Sequence, residues 1–367
     1  MNFLDLHAQY QSIQKEIDKA IQTTIASSSF IMGPAVTELE EKIAGYCGTK
    51  YAVSLNSGSD ALLASMKALD IGPNDEVIVP SYTYIASVET VLLADAKPVL
   101  VDIDPATFNI DPDCVESAIT QKTKAMMPVH LYGQPAQMDI ITEIAKKNNL
   151  LIIEDTAQAI GAEFNDKKAG SFGDTGCISF FPTKNLGAYG DGGMVVTNNQ
   201  KIAEYIKAWR IHGQRKKYYT DFIGDSSRLD TLQAAILLVK LKYLDIWSKK
   251  RQDNAELYNS LLSHDAIVKP IIGSNRTHVF HQYTIRVKDK RDELREYLKK
   301  HDIPTMVYYP ISQHEQKAYS HLGHKLGSLP HSEQAAKEAL SLPNYPEMPE
   351  EDIHTVVKMI QQFFATQ

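Results

Sequence analysis

Short, continuous apolar runs alternate with stretches of helical periodicity over the first two-thirds of the chain. The runs predict strands at 51–55, 76–79, 98–103, 125–129, 150–154, 176–180 and 194–197. Apolar runs without in-out alternation are expected of strands covered on both faces. Apolar positions three and four residues apart predict helices at 60–68, 87–93 and 138–147. Strand–helix alternation of this kind implies an α/β fold with a mainly parallel sheet. The stretch 229–262 reads as one long helix, with no glycine or proline inside it. A helix of that length often bridges two domains. Beyond it the pattern predicts a strand at 281–287, a helix at 289–300, a strand at 304–309 and helices at 332–340 and 349–364. The expected organisation is a large domain over 1–245, including an N-terminal helix, and a smaller α+β domain over 246–367.

Composition narrows the function. At 367 residues, 43% hydrophobic and 23% charged, the chain can bury a sizeable core without a disulfide or metal staple. A net charge of −7 argues against binding the phosphate backbone of a nucleic acid. The longest basic run is Arg215-Lys216-Lys217, either a solvated face or a contact for a substrate phosphate. Cys47, Cys114 and Cys177 form no CxxC pair, which points to a reducing compartment and no zinc site. The first residues lack the apolar core of a signal peptide. No apolar stretch approaches the roughly 20 residues that span a bilayer. The expected setting is cytoplasmic, with no membrane partner.

Four segments carry candidate chemistry. In Ser179-Phe180-Phe181-Pro182-Thr183-Lys184-Asn185-Leu186-Gly187 a lysine follows an apolar strand and precedes a glycine-rich stretch. Lysine condenses with an aldehyde only when its amine is neutral, and desolvation favours the neutral form. The alternative is a surface lysine at a strand–loop junction. Asp155 sits at the carboxyl end of a predicted central strand, where ligands of open α/β sheets bind. It suits a carboxylate that keeps a ring nitrogen of pyridoxal phosphate protonated; an ordinary helix N-cap is the competing reading. Asn56-Ser57-Gly58-Ser59-Asp60 lies between a strand and a helix, where backbone amides face an anion. It lacks the GxGxxG and GxxxxGK[ST] spacings, so neither a dinucleotide nor a Walker site is indicated. In Pro80-Ser81-Tyr82-Thr83-Tyr84 an aromatic could stack on a flat heterocycle, or belong to the core.

Taken in order, SGSDAL, PSYTYIAS, PVHLYGQPAQMD, IEDTAQAIGA, SFFPTKNLGAYGDGG, RIHGQ and SRLDTLQAA resemble the DegT/DnrJ/EryC1/StrS family. The resemblance spans essentially the whole chain. It implies an aspartate-aminotransferase-like fold of type I and the cofactor pyridoxal 5′-phosphate. It implies L-glutamate as amino donor, leaving as 2-oxoglutarate, and a nucleotide-linked ketosugar as acceptor. It also implies a homodimer with active sites at the subunit interface. On these positions the resemblance makes Lys184 the Schiff-base lysine and proton shuttle. Asp155 becomes the partner of the ring nitrogen, Gln158 a neighbour of the ring hydroxyl, and Tyr84 the stacked aromatic. Gly58, Ser59 and Ser179 become the phosphate cup.

The chain departs from the family pattern in places. At 224–228 the family's G-x-N-x-R reads Gly-Asp-Ser-Ser-Arg, so Ser226 replaces the asparagine that reaches the neighbouring subunit's cofactor phosphate. The expected replacement is a contact through water, or through Ser227 or Arg228. V-H-Y-P reads Val307-Tyr308-Tyr309-Pro310, and P-L-H reads Ser312-Gln313-His314. Tyr309 and His314 are expected near the hexose, and Lys216 and Lys217 over the pyrophosphate and base. The pieces IMGPAVTELEEKIA, HGQRKKYY and His281-Gln282-Tyr283-Thr284 look more like members acting at C3 of the sugar. C4 amination is the alternative. A sugar dehydratase is disfavoured because those relatives carry histidine in place of Lys184. A regulator that only binds the cofactor is disfavoured by the retention of Lys184 and Asp155.

Overall fold

The structure is a computed structural model that describes residues 1–365. Five apolar runs form strands β1 (Tyr51–Leu55), β2 (Glu76–Pro80), β3 (Lys97–Val101), β4 (Thr123–Met126) and β5 (Leu151–Asp155). A small hairpin, β6 (Glu163–Phe164) and β7 (Lys167–Lys168), precedes β8 (Thr175–Ser179) and β9 (Gly193–Thr197). All but the hairpin join one seven-stranded sheet in the order β1-β9-β8-β5-β4-β2-β3. Neighbours are parallel except where β9 runs against β1 and β8. The other strands therefore point one way, and the carboxyl ends of β1, β2, β5 and β8 gather on one rim. This rim is where the site forms.

Helices cover both faces, which is why the strands read as unbroken apolar runs. On one face Val53, Val77, Val79, Ile153 and Val195 pack with α3 (Gly58–Ala68), α4 (Ile85–Leu93) and α7 (Gln200–Trp209). On the other, Ile78, Met126 and Ile152 meet α5 (Pro112–Ser117) and α6 (Met138–Asn148). Alternate residues of one strand thus serve different cores. Each fully buried Val, Ile or Leu contributes about 1.5–3 kcal/mol. Before the sheet run α1 (Leu6–Ser27) and α2 (Pro34–Cys47). After β9 comes an exposed ribbon, β10 (Gln214–Lys216) with β11 (Tyr219–Thr220).

A second core begins in the C-terminal half of α9 (Leu244–Leu261), at Ala255. It encloses a three-stranded sheet of β12 (Ile267–Val268), β13 (Tyr283–Val287) and β14 (Ala339–Leu342). Helices α10 (Arg291–Lys300) and α12 (Glu350–Ala365) cover that sheet.

Three predicted elements are corrected. The single helix expected over 229–262 is two, α8 (Thr231–Leu241) and α9, broken at Lys242–Tyr243. Both break residues are pinned to Glu16 of α1, Lys242 by a 2.8 Å ion pair and Tyr243 by its hydroxyl. Tertiary contacts override an unbroken periodicity. The strand expected over 304–309 reduces to one bridge, Met306 to Ser341. Its backbone is bonded by side chains instead: the Tyr308 carbonyl accepts from the hydroxyls of Tyr82 and Tyr132. The helix expected over 332–340 is α11 (Pro330–Glu338), after which the chain passes directly into β14.

Candidate active site

The lysine loop leaves β8 at Ser179 and folds back tightly. Lys184 N donates to the Phe181 carbonyl and Ala188 N to the Phe180 carbonyl, each at 2.8 Å. Gly187 is required, since a Cβ there would lie 2.3 Å from the Pro182 oxygen. The buried ammonium of Lys240 holds the same turn, donating to the Gly187 carbonyl at 2.5 Å. Desolvation lowers the pKa of Lys184 to about 8, while the negative charge of Asp155 pulls it upward. The amine therefore lies within electrostatic reach of Asp155, and the neutral form becomes accessible near neutral pH.

Asp155 ends β5 and is buried. Its Oδ2 accepts from Ser87 Oγ at 2.7 Å, and Ser87 Oγ is itself 2.9 Å from Thr83 Oγ1. Its Oδ1 accepts from Ala157 N at 3.1 Å. These bonds orient the carboxylate. No helix follows Asp155, so the helix N-cap reading is corrected: the Ala157 contact closes a turn.

Glu154, its fully buried neighbour, anchors the strand end. Oε1 accepts from the amides of Phe172 and Gly173, and Oε2 from Gly170 N and His130 Nε2, at 2.6–2.9 Å. His130 Nδ1 accepts from Ala136 N, so the proton is on Nε2. Replacing Glu154 with alanine strands four donors, two of them, Gly170 N and His130 Nε2, in buried contacts. We expect a loss of about 3–5 kcal/mol, read as a lower urea midpoint. An unchanged midpoint would mean that water replaces the carboxylate.

The anion cup is built on the start of α3. Ser57 caps it, its hydroxyl accepting from Asp60 N at 3.0 Å. The amides of Gly58 and Ser59 have no intrahelical partner. A Cβ on Gly58 would lie 2.7 Å from Ser179 Cβ, so only glycine lets the two loops close into a cradle. Ser227 braces the cup from behind: its hydroxyl donates to Asp60 Oδ2 at 2.6 Å and accepts from Asn56 N at 3.2 Å.

Tyr84, Gln158 and Tyr309 converge on one another. Tyr84 is 56% exposed, with its ring free to cover a flat ligand. Its centroid is 5.9 Å from that of Tyr309. Gln158 Nε2 donates to the Tyr309 hydroxyl at 3.1 Å, and its Oε1 accepts from Tyr132 N at 2.7 Å.

Other expected residues lie elsewhere. His314 does not reach the open face. It is buried, with Nδ1 2.7 Å from Ser81 Oγ and Nε2 3.1 Å from Glu333 Oε1. Both ring nitrogens are engaged, so it stiffens the loop that carries Tyr84 rather than presenting itself to a ligand. Ser227 is likewise committed within its own subunit, which corrects the expectation that it replaces the missing asparagine contact across the dimer. Ser226 remains on the surface, accepting from Arg228 NH2 at 2.7 Å. Lys216 and Lys217 stand on the exposed ribbon, their ammonium groups 4.6 and 5.1 Å from the ring centroids of Tyr219 and Tyr218.

Sequence reading missed Thr83 and Ser87, the hydroxyls behind Asp155, and Asn185 and His281 beside the lysine. The first pair had a weak signal: Thr83 and Ser87 flank the start of α4 just after the carboxyl end of β2. The second pair had none, because 96 residues separate its members.

The cradle closed by Gly58 and Ser179, the buried oriented carboxylate and the lysine of lowered pKa fit an anionic, aldehyde-bearing aromatic cofactor. Fold and site define a lysine-centred enzyme of the aspartate-aminotransferase type. The chain belongs to the DegT/DnrJ/EryC1/StrS aminotransferase family, whose model matches residues 11–361. It is 50% identical to the pleiotropic regulatory protein of Geobacillus stearothermophilus, over 98% of each chain. It is 44% identical to the UDP-2-acetamido-2-deoxy-3-oxo-D-glucuronate aminotransferase of Pseudomonas aeruginosa, over 94% of this chain and 95% of that one. The crystal structure of S. venezuelae DesV in complex with a ketimine intermediate superposes with a TM-score of 0.96 at 41% identity, covering 99% of this chain and 98% of that one. Other solved relatives carry the cofactor in its pyridoxal or pyridoxamine form. The protein is thus a pyridoxal-phosphate-dependent aminotransferase of this family. Among the described residues no helix is long and apolar enough to cross a membrane, and no cluster of three His, Cys, Asp or Glu is placed to hold a metal.

Proposed function

We propose that the enzyme moves the amino group of L-glutamate to the C3 keto carbon of a nucleotide-linked sugar, as a homodimer. The observation that carries the sugar position is the similarity to the P. aeruginosa relative, named for a 3-oxo sugar nucleotide. Bound pyridoxal phosphate supplies an aldehyde for an amine and a ring that accepts electron density. Lys184 presents its neutral amine to that aldehyde. The same amine would take the proton from Cα of the amino donor as a base and return a proton as an acid. Asp155, oriented by Ser87 and Ala157 N, keeps the ring nitrogen protonated. The amides of Gly58 and Ser59 and the hydroxyl of Ser179 would hold the phosphate. Gln158 would lie at the ring hydroxyl, and Tyr84 would cover the ring.

The dimer reading rests on apolar surface beside the site segment. Ile223 is 89% and Tyr218 83% exposed, and Phe30, Ile31 and Met32 are exposed where Ile31 bridges to Asp230. A two-fold interface suits such a surface. It would carry the ribbon with Lys216 and Lys217, and Ser226 with Arg228, to the neighbouring subunit's acceptor. Tyr309, bonded to Gln158, is placed for the hexose.

Mass spectrometry of products from matched 3-keto and 4-keto nucleotide sugars tests the position. Conversion of the 4-keto series alone would overturn it. The name of the G. stearothermophilus relative favours a second reading, a regulatory role; a complete glutamate half-reaction establishes turnover. Replacing Lys216 and Lys217 together with alanine should raise KM for the nucleotide sugar about tenfold, roughly 1.4 kcal/mol, and spare the glutamate half-reaction. Equal slowing of both half-reactions would instead give the ribbon a role in the fold or the dimer.

A further inference from the structure

Asn185, the residue after the reacting lysine, is buried and bonds to the segment that leads into β13. Its Nδ2 donates to the Val279 carbonyl at 3.1 Å, and its Oδ1 lies 3.2 Å from His281 Nδ1. A carbonyl only accepts, so the Val279 contact sets which way the amide faces. Oδ1 must then accept, and His281 Nδ1 must carry the hydrogen. The buried imidazole is therefore a donor at Nδ1.

The segment around His281 is held firmly. Val279 N donates to the Gly133 carbonyl at 2.9 Å and Gln282 N to the Tyr132 carbonyl at 3.4 Å. Tyr132 N in turn donates to Gln158 Oε1. Gly133, at φ +107°, permits this approach: a Cβ there would lie 2.9 Å from Val279 Cγ2. Arg251, buried, donates to the Asn344 carbonyl and, at 3.5 Å, to the Phe280 carbonyl. A cavity of about 70 Å³ lies against Thr183, Arg251, His281, Gln282 and Tyr308. It has room for about two waters, and the buried Gln282 Oε1 has no protein partner. The imidazole, the lysine loop and the Gln158 side of the site thus share one rigid backbone segment.

We infer that His281 is a positioning residue: by donating from Nδ1 to Asn185 Oδ1, it ties the Lys184 loop to the second core and keeps the lysine amine in its desolvated place. Burial and the nearby charges of Lys184 and Arg251 hold its own pKa well below the ordinary histidine value, so the ring adds no positive charge beside the lysine. The inference rests on the reading of Lys184 as the reacting amine.

The test uses the full chain in cofactor-free form, with Lys184 reductively methylated across pH and quantified by peptide mass spectrometry. In the parent protein the reactivity of Lys184 should rise with a midpoint at about 8. His281→Leu should move that midpoint upward, toward the ordinary lysine value of 10.5, as water reaches the loop. In the holoenzyme it should slow the glutamate half-reaction about tenfold at saturation, with little change in the glutamate concentration required. His281→Asn, whose amide nitrogen takes the place of Nδ1, should restore most of both. Asn185→Ala should reproduce the His281→Leu effect, and the double variant should be no worse than either single one. That cycle keeps the idea testable if His281→Leu fails to fold. An unmoved Lys184 midpoint in His281→Leu or Asn185→Ala overturns the inference. So does a folded His281→Asn as impaired as His281→Leu. Failure of the underlying reading is distinguishable, because it would appear as turnover retained by Lys184→Ala.

Discussion

Replacing Lys184 with alanine will abolish transamination, lowering kcat by at least about a thousandfold, within the range lost with a proton-transferring group. The variant loses both the amine that condenses with the cofactor aldehyde and the base that moves the Cα proton, and no neighbour supplies either. Asn185 is bonded to the segment that leads into β13, and the Lys240 ammonium is spent on the Gly187 carbonyl. The fold should survive, since the loop closes through backbone bonds of residues 180, 181, 184 and 188. Both half-reactions should fail together, which separates this variant from those of the ribbon. Lysine's titration adds a sign. With its pKa lowered to about 8, the amine becomes neutral as pH rises through that value. Asp155 opposes the lowering, so Asp155→Asn should move the Lys184 midpoint further down. Single-turnover assays with glutamate give the first result, and undiminished turnover by Lys184→Ala would remove Lys184 from the mechanism.

Asp155→Asn should keep the fold and lose several kcal/mol of transition-state stabilisation, a fall in kcat of about a hundredfold or more. An amide cannot hold a proton on a ring nitrogen, so electron density leaving Cα has no sink. The side chain is nearly isosteric, and Ser87 and Ala157 N remain to orient it, so thermal stability should change little. The two half-reactions should slow to similar degrees, because each passes density through the same ring. A drop smaller than tenfold, about 1.4 kcal/mol, would leave Asp155 as a cap for the turn at Ala157 and nothing more.

Much of this site was legible along the chain because its parts are local. Lys184, Asp155, Gly58 and Tyr84 each follow an apolar run, and a strand's carboxyl end is where such residues become useful. The spacing within SGSDAL already implied a helix start with free amides. Hydroxyl support for Asp155 was less visible, since Ser87 bonds a residue 68 positions away. Ser227 and His314 misled for the same reason. Each stands in a motif that suggests contact with a ligand, and each is consumed by a partner inside its own subunit, Asp60 and Ser81 respectively. A polar side chain near a site is available only if the fold leaves it unpaired, which spacing does not reveal.

By itself the sequence determined the α/β class, the strand positions of the main sheet and the family. These follow from hydrophobic period and from short motifs whose geometry closes within a few residues. The tertiary structure alone decided that β9 runs against its neighbours, that the helix after Leu229 breaks where Glu16 pins Lys242 and Tyr243, and that residues 304–309 bond to tyrosine hydroxyls instead of a strand. It also decided which polar groups are spent on the protein and which face the rim, and it joined Asn185 to His281. The division has one physical cause. Burial pattern is written locally, because each residue either faces water or does not. Hydrogen-bond partnership between distant residues is settled only when the chain brings them within about 3 Å of each other.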